Sequence, residues 1–580
     1  MSSETKVCQN CNTEFTIEPD DFDFYKRIQI PPPTWCPECR FKRRLIFWNQ
    51  RSLFRRKDAE TGKEIFSLYP EASPIRAIEH DRWWSDSWDP MDYGREYDFS
   101  RPFLDQLREL MYEVPWSARS VQMMEDSDYS DNATGLKNCY LCFNGNYSED
   151  CLYGVAFNRI KSSMDFFQVQ DCELCYEVFS VGSGYRNFFT NESGHCQNVW
   201  FCLNCVGCSD CFGCVNLRNK KYHIFNRPYT KEEYERKISE MNLGSHAYLE
   251  GIKKQVYDFW LQHPVKYMQG IKNKDVIGAY VYNSKNVKYS YQIVNGEDLK
   301  YCQNAVDLKD AYDYTSWGNQ SEFIYETVVC GMDNQRLKFC YECWPGCHDL
   351  EYSLSCHSSS YLFGCVGLKK KQYCVLNKQY SKGEYEELVP KIKKHMDEMP
   401  FTDSRGNMYR YGEFLPVEFS PFAYNESAIL DFYPVSQDEA RKQGFEWRDV
   451  PAKEYETTLE MNNLPDHIRD VPDSITEELI ACADCQRAYR IVPMELQFLR
   501  RFQIPIPRKC HNCRHEARAR FQNPHKWYKR QCACDYEIYK NHTKHSHHPE
   551  GRCPNEFETS YAPERKEIVY CEECYNAEVV

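Results

Sequence analysis

The sequence predicts a mainly β protein: a duplicated β-solenoid core of the parallel β-helix type, carrying amphipathic helices and flanked at both ends by small metal-binding modules. Three observations predict it. First, Cys8-x2-Cys11-x24-Cys36-x2-Cys39 recurs without a gap 474 residues later as Cys482-x2-Cys485-x24-Cys510-x2-Cys513. Second, the middle of the chain is itself duplicated at an offset of 151, with Phe212-Gly213-Cys214-Val215 matching Phe363-Gly364-Cys365-Val366. Third, a polar turn residue followed by an aromatic or Cys-bearing strand returns every 11–12 residues, as in Asn286 to Tyr289 and Asp298 to Tyr301. Fixed short periods of this kind mark solenoids, in which each rung buries its apolar face on its neighbours.

The terminal modules come first because their chemistry is the most specific. Four thiolates in two Cys-x2-Cys knuckles suit a tetrahedral Zn2+, whereas a redox dithiol accounts for one pair only. The match runs beyond the thiols: Phe24, Arg27, Gln29, Ile30, Pro31 and Pro33 repeat as Phe498, Arg501, Gln503, Ile504, Pro505 and Pro507. Phe47, Asn49 and Arg56 likewise repeat as Phe521, Asn523 and Arg530. The C-terminal tail offers a third zinc site from Cys534, Cys553, Cys571 and Cys574, with Cys532 as the rival to Cys534. His542, His545, His547 and His548 between them read as a solvated loop. About three zinc ions per chain are therefore expected. The N-terminal counterpart of the tail has no Cys: Asp58 aligns with Cys532, and Trp83, Trp84 and Trp88 suggest hydrophobic packing in place of a metal.

The order along the chain follows. Residues 1–57 form the first module, 58–125 its degenerate continuation with a helical connector, and 126–247 the first solenoid copy with a terminal helix. A linking helix lies in 248–277, centred on Leu249 to Gln262, and the second copy spans 278–400. Tyr234, Ile238 and Met241 stripe one terminal helix, and Tyr385, Val389 and Ile392 the other, between Gly383 and Met399. A Pro- and aromatic-rich strap with a short helix near Gln437 to Gln443 occupies 401–478, ending in the acidic stretch Asp466 to Glu478, read as an exposed linker. The second module (479–530) and the C-terminal ribbon (531–580) complete the chain. In the solenoid, two beats of 11–12 are expected to make one turn.

The 32 cysteines divide into 13 in the terminal regions and 19 between Cys139 and Cys374. In a narrow coil, free Cys serves as a small hydrophobe. Core packing is therefore the favoured reading even for Cys202, Cys205, Cys208, Cys211 and Cys214, where an extra zinc site or an iron–sulfur cluster is the alternative. The chain has no run of 18 apolar residues, and its thiol content suits a reducing compartment, so a cytoplasmic location without membrane attachment is expected.

The terminal modules resemble the zinc-ribbon, treble-clef-like family. The resemblance rests on paired Cys-x2-Cys knuckles, an aromatic at mid-module (Phe24, Phe498), Pro before the second knuckle, and Cys-Arg opening a basic stretch (Cys39-Arg40, Cys513-Arg514). It covers about 50 residues at each end, and the glycine that often follows the first knuckle is replaced by Asn12 and Gln486. The whole chain is similar to cysteine-rich repeat proteins of candidate-phylum bacteria. The resemblance implies metal binding and no catalytic activity.

A net charge of −14 argues against a protein that coats nucleic acid indiscriminately, although Arg40 to Lys57 holds eight Lys/Arg and no acid. The leading functional reading is a non-enzymatic adaptor whose solenoid, capped by the zinc modules, presents an aromatic surface to a protein partner. A homodimer is a further expectation, because the module is present at both termini. The alternative is RNA or single-stranded DNA binding through Arg43, Arg44, Trp48, Arg55, Arg56, Lys526, Trp527, Lys529 and Arg530. A second alternative is a carbohydrate-active enzyme using carboxylates such as Asp307, Asp310, Asp313, Glu322 and Glu326.

Overall fold

The computed structural model describes residues 2–449, 456–538, 541, 543–548 and 550–579. The chain forms two compact units. One holds Met1–Ser120, Met268–Asp449 and His525–Trp527; the other holds Val121–Tyr267, Val450–Pro524 and Tyr528–Val580. The pairing of segments is therefore crossed. The N-terminal module folds with the second solenoid copy, and the C-terminal module with the first.

Each copy is a parallel β-solenoid. In the first, strands from Val121–Gln122 to Lys221–Ile224 pair in chain order, forming with the hairpin strand Arg227–Pro228 an 11-stranded sheet. The second runs from Gly270–Ile271 to Gln372–Val375, with Lys378–Gln379 turning back in the same way. Leu152 pairs with Met164, and Val199 with Cys211, so one turn takes 12 residues. The expected two beats per turn is thus corrected: a single beat closes the coil. Part of the second copy runs at 13, with Gln335 opposite His348, which accounts for the drift of its sequence period.

The reason one beat suffices is a bend at every third residue. Asn198, Phe201, Asn204 and Gly207 all adopt left-handed backbone, with φ between 50° and 65°, before the coil returns at Asp210. Each turn therefore has four sides of three residues. Left-handed backbone is tolerated best by Gly, Asn and Asp, and the Asn/Asp beat sits at these corners. There the side chains link successive turns: Asn138 Nδ2 donates to Asp150 Oδ1 at 2.6 Å, and Asn286 to Asp298 at the same distance.

The residue in the middle of each side points inward, into a space that admits little. Cys202, Cys205, Cys208, Cys211 and Cys214 are all inward and buried. Their thiols donate weakly to nearby carbonyls, such as Cys202 Sγ to Trp200 O at 3.6 Å and to Cys211 O at 3.8 Å. Inward serines do the same more strongly: Ser193 Oγ donates to Asn191 O at 2.9 Å and accepts from the Cys205 amide at 3.0 Å. Where Phe points inward, the turn before it supplies glycine. A Cβ on Gly145 would lie 2.1 Å from the Phe157 ring.

The modules lie along the coil flanks and do not cap the ends, which corrects the capping expectation. Closing falls to the antiparallel hairpins and the helices after them, Lys231–Ser239 and Lys382–Glu398, which carry the expected buried Tyr234 and the expected Tyr385, Val389 and Ile392. The module helix Pro37–Leu45 instead packs on the long strand Gln303–Val328 of the second copy, and His511–Ala519 packs on Met164–Glu173 of the first.

Both helices are bolted down by buried ion pairs. Arg40 and Arg44 meet Asp313 at 2.8 and 3.0 Å, and Arg43 reaches Glu326 and the strap residue Glu413 at 2.9 Å each. In the other unit Arg514 and Arg518, the counterparts of Arg40 and Arg44, both meet Asp165 at 2.9 Å. Every one of these carboxylates except Glu413 sits in or beside the coil wall. The segment Asp466 to Glu478 is not an exposed linker, because Ile468, Val471 and Ile475 are buried. Its Asp466 accepts from the Ala247 amide at 2.9 Å, at the start of the helix His246–Trp260. The strap helix is found at Gln437–Lys442. No helix among the described residues is long and apolar enough to cross a membrane.

Removing one member of a buried charge set leaves its partners uncompensated. Arg43→Ala should therefore cost about 3–5 kcal/mol in denaturant unfolding. The exposed Arg55, paired with Glu64 at 3.3 Å, should cost no more than about 0.5 kcal/mol when changed to Ala.

A second expectation concerns acid. His357 is buried beneath the rings of Trp83, Trp84 and Trp344, and burial pulls its pKa down from 6.5 to about 4. The unfolded chain takes up this proton first as pH falls. Stability should thus decline between pH 6.5 and 4, by about 3 kcal/mol in total. His357→Gln should flatten that part of the stability–pH curve.

Candidate metal centres

Two of the predicted thiol sets come together as complete groups. The sulfurs of Cys8, Cys11, Cys36 and Cys39 all lie within 4.8 Å of one another, and so do those of Cys482, Cys485, Cys510 and Cys513. Cys11 Sγ is 3.7 Å from Cys36 Sγ, and Cys485 Sγ is 3.7 Å from Cys510 Sγ. Four sulfurs placed tetrahedrally about an ion at a bond length of 2.3 Å would stand about 3.8 Å apart. The spacing therefore fits a metal ion without rearrangement.

Local structure explains why these residues converge. Asn12 and Gln486 take left-handed backbone at φ 59°, the conformation a glycine would adopt, and their amides donate back to Cys8 O and Cys482 O. The knuckle therefore forms despite the missing glycine. Cys36 and Cys510 each stand at the N-cap of a helix, Pro37–Leu45 and His511–Ala519, where the helix dipole favours a thiolate. Asn10 Nδ2 donates to Cys39 Sγ at 3.2 Å.

The electrostatics call for a cation. Hydrogen bonds from Cys36 and Cys39 hold the Cys8 thiol far below its ordinary range, while Cys36 and Cys8 push Cys39 far above it. In the second group burial would raise Cys482, yet the backbone amides of Cys485 and Cys510 bring it down to about 7. Such a set shares little negative charge by itself; a positive ion at the centre lets all four sulfurs ionise.

The third group is Cys532, Cys553, Cys571 and Cys574, with Cys553 Sγ 3.9 Å from Cys571 Sγ. Of the two rivals considered from the sequence, Cys532 is the thiol that completes this set. The Cys571 amide donates to its sulfur at 3.1 Å. Cys534 belongs instead to a second group with His545, His548 and Cys574. Among the described residues the histidine segment is accordingly not a solvated loop, because His545 and His548 are buried; His542 lies outside the described residues. The signal in the sequence was His545-x2-His548 lying between Cys534 and Cys574, a spacing too short to stand out among polar residues.

The N-terminal copy shows what stands in place of these candidate ligands. The strands Phe54–Lys57 and Glu64–Ser67 correspond to Tyr528–Gln531 and Glu556–Thr559, but six residues (58–63) join the first pair and 24 (532–555) the second. Asp58, at the position of Cys532, accepts from the amides of Glu60, Thr61 and Glu79 at 2.9, 2.7 and 2.7 Å. One carboxylate thus gathers the same loops by hydrogen bonding. Trp83 and Trp88 pack nearby, as expected, with Trp83 Nε1 donating to Pro115 O.

The basic stretches are placed differently from the nucleic-acid expectation. Arg43, Arg44, Trp48 and Arg56 are buried, the first two in the ion cluster and Arg56 donating to Pro70 O and Ile75 O. Arg530 is half-buried and donates to Ala562 O at 3.2 Å. Arg55, Lys526 and Lys529 are exposed, and Trp527 is half-buried. The carboxylates proposed for catalysis are also engaged: Asp313 and Glu326 with the module arginines, Asp310 with Arg27 at 2.7 Å, and Asp307 with Asn295 at 2.8 Å. In the coil, no candidate ion group among the described residues includes a cysteine between 139 and 374.

No protein-family model matches the chain, and no curated protein matches it. Among solved structures, the polySia-specific acetyltransferase NeuO covers 48% of this chain and 94% of its own at 9% identity. The TM-score of 0.08 is too low to carry any argument about fold or function.

Two substitutions separate the roles of sulfur. Cys36→Ser should remove one bound ion per chain and destabilise its module. Cys205→Ala should leave the metal content unchanged at a cost of about 1–2 kcal/mol, read by elemental analysis and denaturant unfolding.

Proposed function

We propose that the chain is a zinc-stabilised, non-catalytic scaffold that presents its coil-and-module bodies to a macromolecular partner. The observation that carries the reading is that each candidate ion group supplies four protein donor atoms. Zinc that acts on a substrate keeps a coordination position open, whereas a closed set of Cys or Cys and His is the structural kind. Zn2+ is the ion preferred by such tetrahedral sulfur-rich sets.

The partner surface we assign to this scaffold is a cleft of about 590 Å3 in the unit that holds the first coil. Leu249, Val256, Trp260 and Phe521 give it an apolar floor, and Lys253, Lys254, Arg508 and Lys509 stand around it. That chemistry suits an acidic protein segment with an apolar anchor. A second reading, single-stranded nucleic acid, draws on a cleft of about 430 Å3 in the other unit, where Tyr289, Tyr301, Trp527 and Lys526 offer rings for stacking beside a cation.

The test is binding by the full chain. Trp260→Ala combined with Lys254→Glu should weaken capture of the protein partner at least tenfold while leaving metal content intact. Retention of the partner by this variant would remove the assignment of the cleft. Oligonucleotide binding that falls steeply with salt and is lost in Trp527→Ala would favour the second reading instead.

A further inference from the structure

We propose that the C-terminal ribbon holds a pair of zinc ions that share the Cys574 thiolate. Cys532, Cys553, Cys571 and Cys574 bind the first ion; Cys534, His545, His548 and Cys574 bind the second. The inference rests on the zinc reading above and adds a site to it.

The second set has the spacing of a coordination shell. Cys534 Sγ is 3.5 Å from His545 Nδ1, His545 Nδ1 is 3.2 Å from His548 Nε2, and His548 Nε2 is 3.1 Å from Cys574 Sγ. Nitrogen and sulfur ligands placed tetrahedrally about zinc stand about 3.3–3.6 Å apart. All four side chains are buried. As neutral groups the two imidazoles can share one N–H···N hydrogen bond, but the same two nitrogens also face the sulfurs of Cys534 and Cys574, and one central cation satisfies all four donor atoms at once.

The surroundings point the same way. His545 Nε2 lies 2.9 Å from Glu578 Oε1, and both side chains are buried. A carboxylate there fixes the proton on Nε2 and leaves the Nδ1 lone pair aimed at Cys534 and His548, which is the arrangement that orients metal-bound histidines. On the opposite side Asn541 Nδ2 donates to Cys534 Sγ at 3.1 Å, and Tyr570 OH donates to Asn541 Oδ1 at 3.0 Å, so the thiolate is also held. Cys574 belongs to both sets, and a thiolate has lone pairs enough to bridge two ions. His547, with its Nε2 3.2 Å from Cys574 Sγ and 3.6 Å from Cys553 Sγ, forms an overlapping group with His548, Cys553 and Cys574 and stands on the side of the first ion. It is left out of the second shell for that reason.

Cys534, His545 and His548 all lie in the 24-residue loop that the N-terminal copy lacks. The same loop also carries Cys532 and Cys553, so it supplies ligands to both ions, and the N-terminal copy, which lacks it, has neither set among the described residues.

Elemental analysis of the full chain should give four zinc ions per chain: two from the paired-knuckle modules and two here. His548→Ala should lower the count to three, while His548→Cys, which restores a ligand, and His547→Ala should each keep four. Cadmium substitution should yield two coupled 113Cd resonances, because only ions joined through one sulfur couple. The proposal is overturned by three ions per chain in the wild type, by an unchanged count in His548→Ala, or by uncoupled cadmium signals. A chain with no zinc at all would overturn it together with the zinc reading, whereas a count of three overturns it alone.

Discussion

A backbone that bends at every third residue leaves room inside for one modest side chain per side, and most of this molecule follows from that restriction. Cysteine and serine fill the interior because they are small and can hydrogen-bond to the carbonyls that line it. Leucine, isoleucine and valine share the interior of the second coil, as Leu337, Leu350 and Leu362 do on successive turns, and an inward Phe is accommodated where a neighbour gives way, as Gly145 does for Phe157. The corners demand left-handed backbone, which draws in Asn and Asp, and their amide and carboxylate groups then stitch one turn to the next. Carboxylates such as Asp165, Asp313 and Glu326 stand on the same corners. The coil wall thereby presents negative charge at the positions that the module arginines meet.

Sulfur is used in two chemically separate ways. In the coils it is filler: burial raises Cys302 to about 12, and it donates to Ala311 O at 3.2 Å, while hydrogen bonds from neighbouring thiols pull Cys139 and Cys214 down to about 4. In the modules it stands at helix N-termini and beside amide donors, which favour the thiolate. Spacing alone cannot distinguish the two uses, since Cys202 to Cys214 is as regular as any metal motif. What separates them is direction. A three-residue period in this coil sends each thiol into a different side of one narrow space, whereas a Cys-x2-Cys knuckle turns two thiols toward one point.

Much of this was readable beforehand because it rests on local spacing: the paired knuckles, the terminal helices with Tyr234 and Tyr385 on their inner faces, and the solenoid itself. The number of residues per turn was not, because a period of 12 says where a pattern returns and not how many sides it passes. Burial of Arg40, Arg43 and Arg44 was hidden for another reason. Their partners Asp313 and Glu326 lie some 270 residues away, and a basic run read by itself looks like a surface for phosphate. The choice of Cys532 over Cys534 turned on a loop whose path only the folded chain reveals.

The crossed pairing of segments bears on how the protein is made. The helix carrying Arg40, Arg43 and Arg44 leaves the ribosome long before the wall with Asp313 and Glu326 has been synthesised. Until then three cations that end up without solvent must stay hydrated, and the first module has nowhere to dock. The C-terminal module meets the reverse situation, emerging after the coil that carries Asp165 is complete. Two copies of one design thus mature on different schedules, and the earlier one has a long interval before its docking wall exists.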